Sequence, residues 1–329
     1  MGKIVKLLTL PSLLIFFLTL QGCALTGGKG PAPESNQALY RPLAEPGGDA
    51  LLQRYAPHFE IQDYQEEYNR IGAAAARLTT GNDYEVYVDT DRPTIYTLVQ
   101  TFATAKGDYT NLIYRVHFPE VPWPHLTWGR NVGLLVYVTL NSRQEPVLIT
   151  TLHTCGCYLA MIPTNKLPRE QWPAGWLSDG QYIFGEQLPG QLELPPQEPY
   201  GQLFISIRGR VHRVTAVEFR PAEKTQPQPD PPTRLAPMSA LDALPLGKRT
   251  VSFFEQEGSR RGYVKDNRKP LELLFMSWWA LDPKIGQDKI LGPPEETGVV
   301  FYTSLKFWDR ESSNLWHFPQ FLSYWGWDF

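Results

Sequence analysis

The 329-residue sequence holds only three cysteines, and one of them, Cys23, lies near the N-terminus. Cys155 and Cys157 are then the one pair left in the rest of the chain, without the second pair that makes a zinc motif specific. A basic block is also missing: 31 Lys and Arg stand against 34 Asp and Glu, for a net charge of −3. That balance gives no electrostatic case for nucleic acid. The sequence contains no G-x-S-x-G, H-E-x-x-H, P-loop, G-x-G-x-x-G or C-x-x-C-H motif, so no enzyme class is signalled. The acidic pairs Glu66-Glu67 and Glu295-Glu296 are adjacent rather than convergent, as on a solvated surface. What the chain does have is 30 prolines, above the roughly 5% average, and 13% aromatic residues. Prolines favour extended segments, linkers and edge strands over long helices.

Residues 1–22 have the order of an export signal. Lys3 and Lys6 give a positive start, and Leu7–Leu20 is an apolar run shorter than the roughly 20 residues of a spanning helix. Leu20-Gln21-Gly22-Cys23 then resembles the lipobox of bacterial lipoproteins, with Leu at −3, Gly at −1 and the required Cys at +1. The resemblance covers this leader alone and matches no family for the mature part. It implies that the Cys23 thiol carries diacylglycerol and that its amino group is acylated by a chain such as palmitate. Several acyl chains anchor a protein stably without any transmembrane helix. Ala24 at +2, in place of aspartate, implies the outer membrane, with the protein facing the periplasm. Residues 23–50, rich in Gly, Pro and Ala, are expected to be a flexible, lipid-anchored tether.

From there the pattern predicts an α+β, β-rich fold, mainly an antiparallel sheet or sandwich with few helices. A main domain is expected over 51–220, a proline-rich linker or surface strap over 221–237, and an aromatic-rich segment over 238–329. That last segment packs on the main domain or forms a small second one. Tyr64–Ala76 suits a short helix. Tyr84–Val88 alternates as a strand, and Thr94–Thr104 with Tyr109–Phe118 reads as a hairpin. Val132–Leu140 and Val147–Leu152 are nearly continuous apolar runs, which argues for strands buried on both faces and places the core there. Residues 172–200 read as a long loop. Leu203–Arg208 and Val211–Phe219 form a third pair, with Arg208, Arg210, His212 and Arg213 crowding its tip as a solvated turn or an anion-holding cluster. Thr250–Phe254 and Val299–Leu305 read as strands, and Glu272–Leu281 as a helix. Trp308, Trp316, Trp325 and Trp327 crowd the C-terminus. They are expected to serve core packing, or else an exposed patch for an envelope protein or a glycan.

One constellation carries chemistry: His153-Thr154-Cys155-Gly156-Cys157. If the strand runs on past Leu152, residues 153, 155 and 157 share a face. Two thiolates and an imidazole would then bind a soft or borderline ion, zinc or copper, with His117 and His125 nominated to complete the ligand set. A metal-binding or metal-handling module is the preferred reading. The alternative is a periplasmic thiol oxidoreductase using Cys155 and Cys157, whose small Cys-Gly-Cys ring would be strained and oxidising. A structural or partner-binding lipoprotein without chemistry, with both cysteines and His153 simply buried, is the third.

Overall fold

Apolar runs along this chain become strands, and what distinguishes them is whether one face or both faces are covered. The structure, a computed structural model, describes residues 36–43, 47–80, 83–221 and 231–329. The leader, Cys23, most of the tether and residues 222–230 lie outside them. In chain order the strands are β1 (Gln37–Pro42), β2 (His58–Gln62), β3 (Ala73–Leu78), β4 (Tyr84–Asp89), β5 (Thr94–Thr104), β6 (Gly107–Val121), β7 (Gly129–Leu140) and β8 (Pro146–His153). They continue with β9 (Ala160–Pro163), β10 (Gln181–Ile183), β11 (Glu186–Leu188), β12 (Gln202–Ile207), β13 (Val214–Arg220), β14 (Pro232–Pro237), β15 (Leu244–Leu246) and β16 (Arg249–Val251). The α-helices are short: α1 (Ala50–Arg54), α2 (Pro270–Ala280), α3 (Pro294–Thr297) and α4 (Phe318–Tyr324).

Ten strands form one sheet in the order β13-β12-β2-β1-β14-β5-β6-β7-β8-β9. Six of its nine pairings are antiparallel; β14 with β1, β14 with β5, and β12 with β2 are parallel. The fold is thus α+β, β-rich and mainly antiparallel, as the sequence predicts. The sheet curls, because one buried cluster joins Phe59 and Ile205 near one end to Val136 and Ile149 near the other. Opposite faces of β6, β7 and β8 serve two cores. Leu112, Val136 and Ile149 turn inward to that cluster, while Ile113, Tyr137 and Leu148 meet Phe318, Phe321, Trp327 and Phe329 of the C-terminal segment. Coverage on both sides is why these strands read as unbroken apolar runs. Each such aromatic, fully buried, contributes about 1.5–3 kcal/mol.

Several local expectations differ from what forms. The first is the tether, whose residues Gln37–Pro42 are not a free linker but strand β1, held between β2 and β14 with Ala38, Leu39 and Tyr40 buried. Over Tyr64–Ala76 the chain makes a 3₁₀ turn at Glu67–Asn69 and then β3, not a helix. The alanines that favour a helix are also small enough to pair closely with β4, in register from Ala73↔Asp89 to Leu78↔Tyr84. Gly72 sits so near the Asp89 carbonyl that a Cβ would not fit. Val299–Leu305 makes only an isolated bridge between Tyr302 and Asn314, because Phe301 is drawn into the second core and Tyr302 toward Asp282. The 172–200 loop carries a small hairpin, β10–β11. Finally, the last six residues of the proline-rich stretch are β14, seated between β1 and β5. Its prolines fall at the two ends of the strand, where a missing N–H costs least.

Candidate functional site

Strand β8 stops at His153, and the chain reverses over residues 154–159 into β9. The reversal is closed by two backbone bonds: His153 N–H donates to the Cys157 carbonyl at 2.9 Å and Gly156 N–H to the His153 carbonyl at 2.8 Å. Gly156 has φ +94°, and a Cβ there would run into the Tyr302 carbonyl, so the turn requires glycine. His153, Cys155 and Cys157 therefore meet through a tight turn rather than by strand alternation, which is how the sequence suggested they would share a face. One ligand atom from each lies within 4.8 Å of the others. The Cys155 and Cys157 sulfurs are joined as a disulfide. Cys155 is buried, whereas Cys157 is partly open to solvent.

The imidazole is held in one tautomer. His153 Nε2–H donates to the His212 carbonyl at 2.9 Å, which leaves Nδ1 with the lone pair. Burial, reinforced by the nearby Lys269 charge, pushes His153 down to about 4 and keeps the ring neutral at pH 7. Tyr158 packs edge-on against it, with ring centroids 4.6 Å apart. A neutral ring whose far nitrogen is bonded to a backbone carbonyl is the arrangement that a metal-ligating histidine needs.

What holds this turn comes from far along the chain. Thr154 N–H donates to the Gly133 carbonyl on β7 at 2.9 Å, and Lys289 N–H donates to the Thr154 carbonyl at 2.9 Å. The Thr154 hydroxyl donates to Asp288, whose other oxygen accepts from Asn267 Nδ2 at 2.7 Å and faces Lys269 Nζ at 3.1 Å. Lys289 Nζ donates to the Cys155 carbonyl at 2.6 Å, over the Tyr302 ring with its centroid 4.1 Å away. Burial pushes the Lys289 amine down to about 7, against the pull of Asp282 and Asp288. Asp288 and Lys289 are fully buried, and Lys269 is nearly so. None of these residues was signalled by the sequence. They sit in a segment without periodicity, and nothing in their spacing points back to residue 154.

The nominated fourth ligands lie elsewhere. His117 Nε2 accepts from Arg115 at 2.9 Å, and its ring packs on Phe253. Burial, then the Arg115 charge, hold it well below the usual histidine range. His125 Nδ1 bonds to Thr127. Neither belongs to the group of three, which is the one such group among the described residues. The basic tip of the β12–β13 pair is also neither free nor fully solvated. Arg208 makes a two-pronged pair with buried Glu186, and Arg213 joins the same carboxylate at 3.2 Å. His212 is buried against the Phe118 ring at 4.0 Å. Compared with protein-family models, curated proteins and solved structures, the chain matches none.

Proposed function

We propose that this chain is a lipid-anchored envelope protein whose His153-Cys155-Cys157 turn is a redox-gated site for a soft metal ion. The observation that carries this reading is the convergence of three ligand atoms within 4.8 Å while the two sulfurs form a disulfide. In the oxidised state neither sulfur is a thiolate, and the site is closed to metal. An external dithiol, of the kind that serves exported proteins, opens it by attack on the more exposed sulfur, Cys157. Cys155 leaves as the thiolate, and a second attack by the reductant releases Cys157. The reductant's two thiols become a disulfide, and the protein gains two electrons and two protons. On metal binding both thiols lose their protons, and neutral His153 supplies the third donor. The donor set S₂N would suit zinc or a copper ion, held by Cys155, Cys157 and His153, with Cys157 the partner that is partly open to solvent.

The lipobox at Leu20–Cys23 supports placement at the outer membrane, facing an oxidising periplasm where such a pair is disulfide-bonded at rest. The exposure of Cys157 also favours a second reading, direct thiol–disulfide exchange with a partner's dithiol and no metal.

Native mass spectrometry of the purified full chain, before and after mild dithiol treatment, separates these readings. The metal reading expects zinc or copper to add only after reduction, and not at all in a Cys155→Ser, Cys157→Ser variant. Reduction without uptake of either ion, combined with turnover of a disulfide peptide, moves the function to exchange. A disulfide that resists reduction in the folded protein sinks both.

A further inference from the structure

Helix α2 is apolar on the outside of the molecule. Its sequence from Leu273 to Leu281 has no charged residue, and Leu273, Leu274, Phe275, Trp278, Trp279 and Leu281 are all exposed, Leu274 and Trp278 by two thirds. The one acid of the helix, Glu272, is turned inward and buried. A second apolar element stands beside its C-terminal end. The 3₁₀ turn Phe307–Asp309 exposes Phe307 and Trp308, and Arg310, which follows it, donates to the Ala280 carbonyl at 2.7 Å. At about 150–250 Å² per aromatic side chain, these five half- to two-thirds-exposed rings offer on the order of 500 Å². That is already as large as the largest apolar patch of an ordinary soluble monomer.

We propose that α2 and the Phe307–Asp309 turn are a face that lies in the surface of a lipid bilayer. The proposal rests on the lipobox reading for its occupant. The chain between Cys23 and the first described residue, Asn36, is roughly 13 residues and spans about 45 Å at full extension. A folded part of about 280 residues has a radius of gyration of about 19 Å. A sphere of that size is about 49 Å across, so a bilayer holding Cys23 is within reach of most of the surface, except the side opposite Asn36. The composition fits that occupant: tryptophans beside leucine and phenylalanine are the side chains that settle at the level of the headgroups. The helix has 11 residues and is about 16 Å long, too short to cross a bilayer. Among the described residues no helix is long and apolar enough to do so. It would lie along the surface with its outer side chains in the acyl boundary. The exposed cation beside the Phe307–Asp309 turn, Lys306, faces Asp309 at 3.8 Å. Binding is thus driven by apolar burial and not by anionic lipid. Docking would hold the 238–329 segment, and with it the clasp on the Cys155–Cys157 turn, against the membrane.

The test is fluorescence quenching of the full chain on phosphatidylcholine vesicles that contain a bromine-labelled acyl chain. Quenching is expected, unchanged in high salt and without anionic lipid. It should fall by more than half when Trp278, Trp279 and Trp308 are all replaced by Phe. A Leu274→Glu, Phe275→Glu variant, folded by circular dichroism, should lose roughly tenfold or more of the quenching per vesicle. Equal quenching in wild type and the triple variant, or none in wild type, overturns the proposal and leaves the face to an envelope protein, a glycan or a second copy. Sedimentation of the same chain with vesicles, against Cys23→Ser, reports the anchor separately. A chain that sediments through Cys23 but is not quenched keeps the lipobox and loses the docking face. One that is quenched without Cys23-dependent sedimentation does the reverse.

Discussion

Ile149 and Thr154 are five residues apart on one strand and the turn that ends it, and both are fully buried. Ile149 is surrounded by Val136, Ile162 and the other aliphatic side chains of the concave core. Thr154 is held by Asp288, Gly133 and Lys289, in a region that also buries Lys269. The first environment is non-directional: it asks for apolar volume and works through area removed from water. The second consists of directed bonds between groups that are costly to desolvate and are tolerable only when every partner is present. The dry core makes the sheet. The polar clasp fixes one turn, the one that carries His153, Cys155 and Cys157.

Acid breaks the contrast most sharply. His117, His153 and His212 are buried and neutral. His153 is held down to about 4 and His212 to about 3, chiefly by burial, and His117 is held well below the usual range. In the unfolded chain each titrates near 6.5. As pH falls from about 6.5 toward 4, the unfolded state takes up protons that the folded state cannot, so stability present above 6.5 is lost. Each histidine contributes a slope of about 1.4 kcal/mol per pH unit, or about 4 kcal/mol per unit for three. Urea midpoints measured from pH 7 to 4.5 should drop steeply. A flat profile would show that these rings find a partner when charged.

Removing one partner from the clasp is next in size. Asp288→Ala removes the ion-pair partner of buried Lys269 and takes the acceptor from Thr154, which is expected to cost about 3–5 kcal/mol. Replacing Asp288 and Lys269 together by leucine and methionine should restore a good part of that loss, since two apolar groups need no partner. Urea unfolding of the single and double variants checks it. Equal stability of the two would mean that the pair is not coupled.

These two regions also mark how far the sequence can be read. β7 and β8 were legible because continuous β-branched runs have few alternatives to a strand covered on both faces, and β5 with β6 because two β-branched and aromatic runs flank a turn. The turn chemistry was legible in part, since His153, Cys155 and Cys157 stand so close in sequence that almost any local conformation brings them together. The clasp was not, because Asp288 and Lys289 reach Thr154 and Cys155 across more than 130 residues, and long-range polar pairing leaves no periodic trace. Strand β14 was hidden for a related reason: prolines at both ends masked a four-residue Thr-Arg-Leu-Ala strand that only its neighbours could specify. The alanines of β3 show the converse, a local helix preference overridden by a pairing partner.

The smallest effect sharpens the comparison from the dry side. Ile149→Val removes one methylene from a site with no polar atom to strand, so it should cost about 0.5–1.5 kcal/mol. That cost should be the same at pH 5 and pH 7, because no ionisable group touches the change. Measured beside Asp288→Ala, whose cost should move with pH because the Asp288 charge acts on His153, it gives a direct reading of which region is electrostatic. If Ile149→Val also became more costly in acid, the two environments would be coupled through β8, and the turn would report on the packing of the whole sheet. If it did not, the core could be repacked freely while the geometry of Cys155 and Cys157 stayed in the hands of the clasp alone.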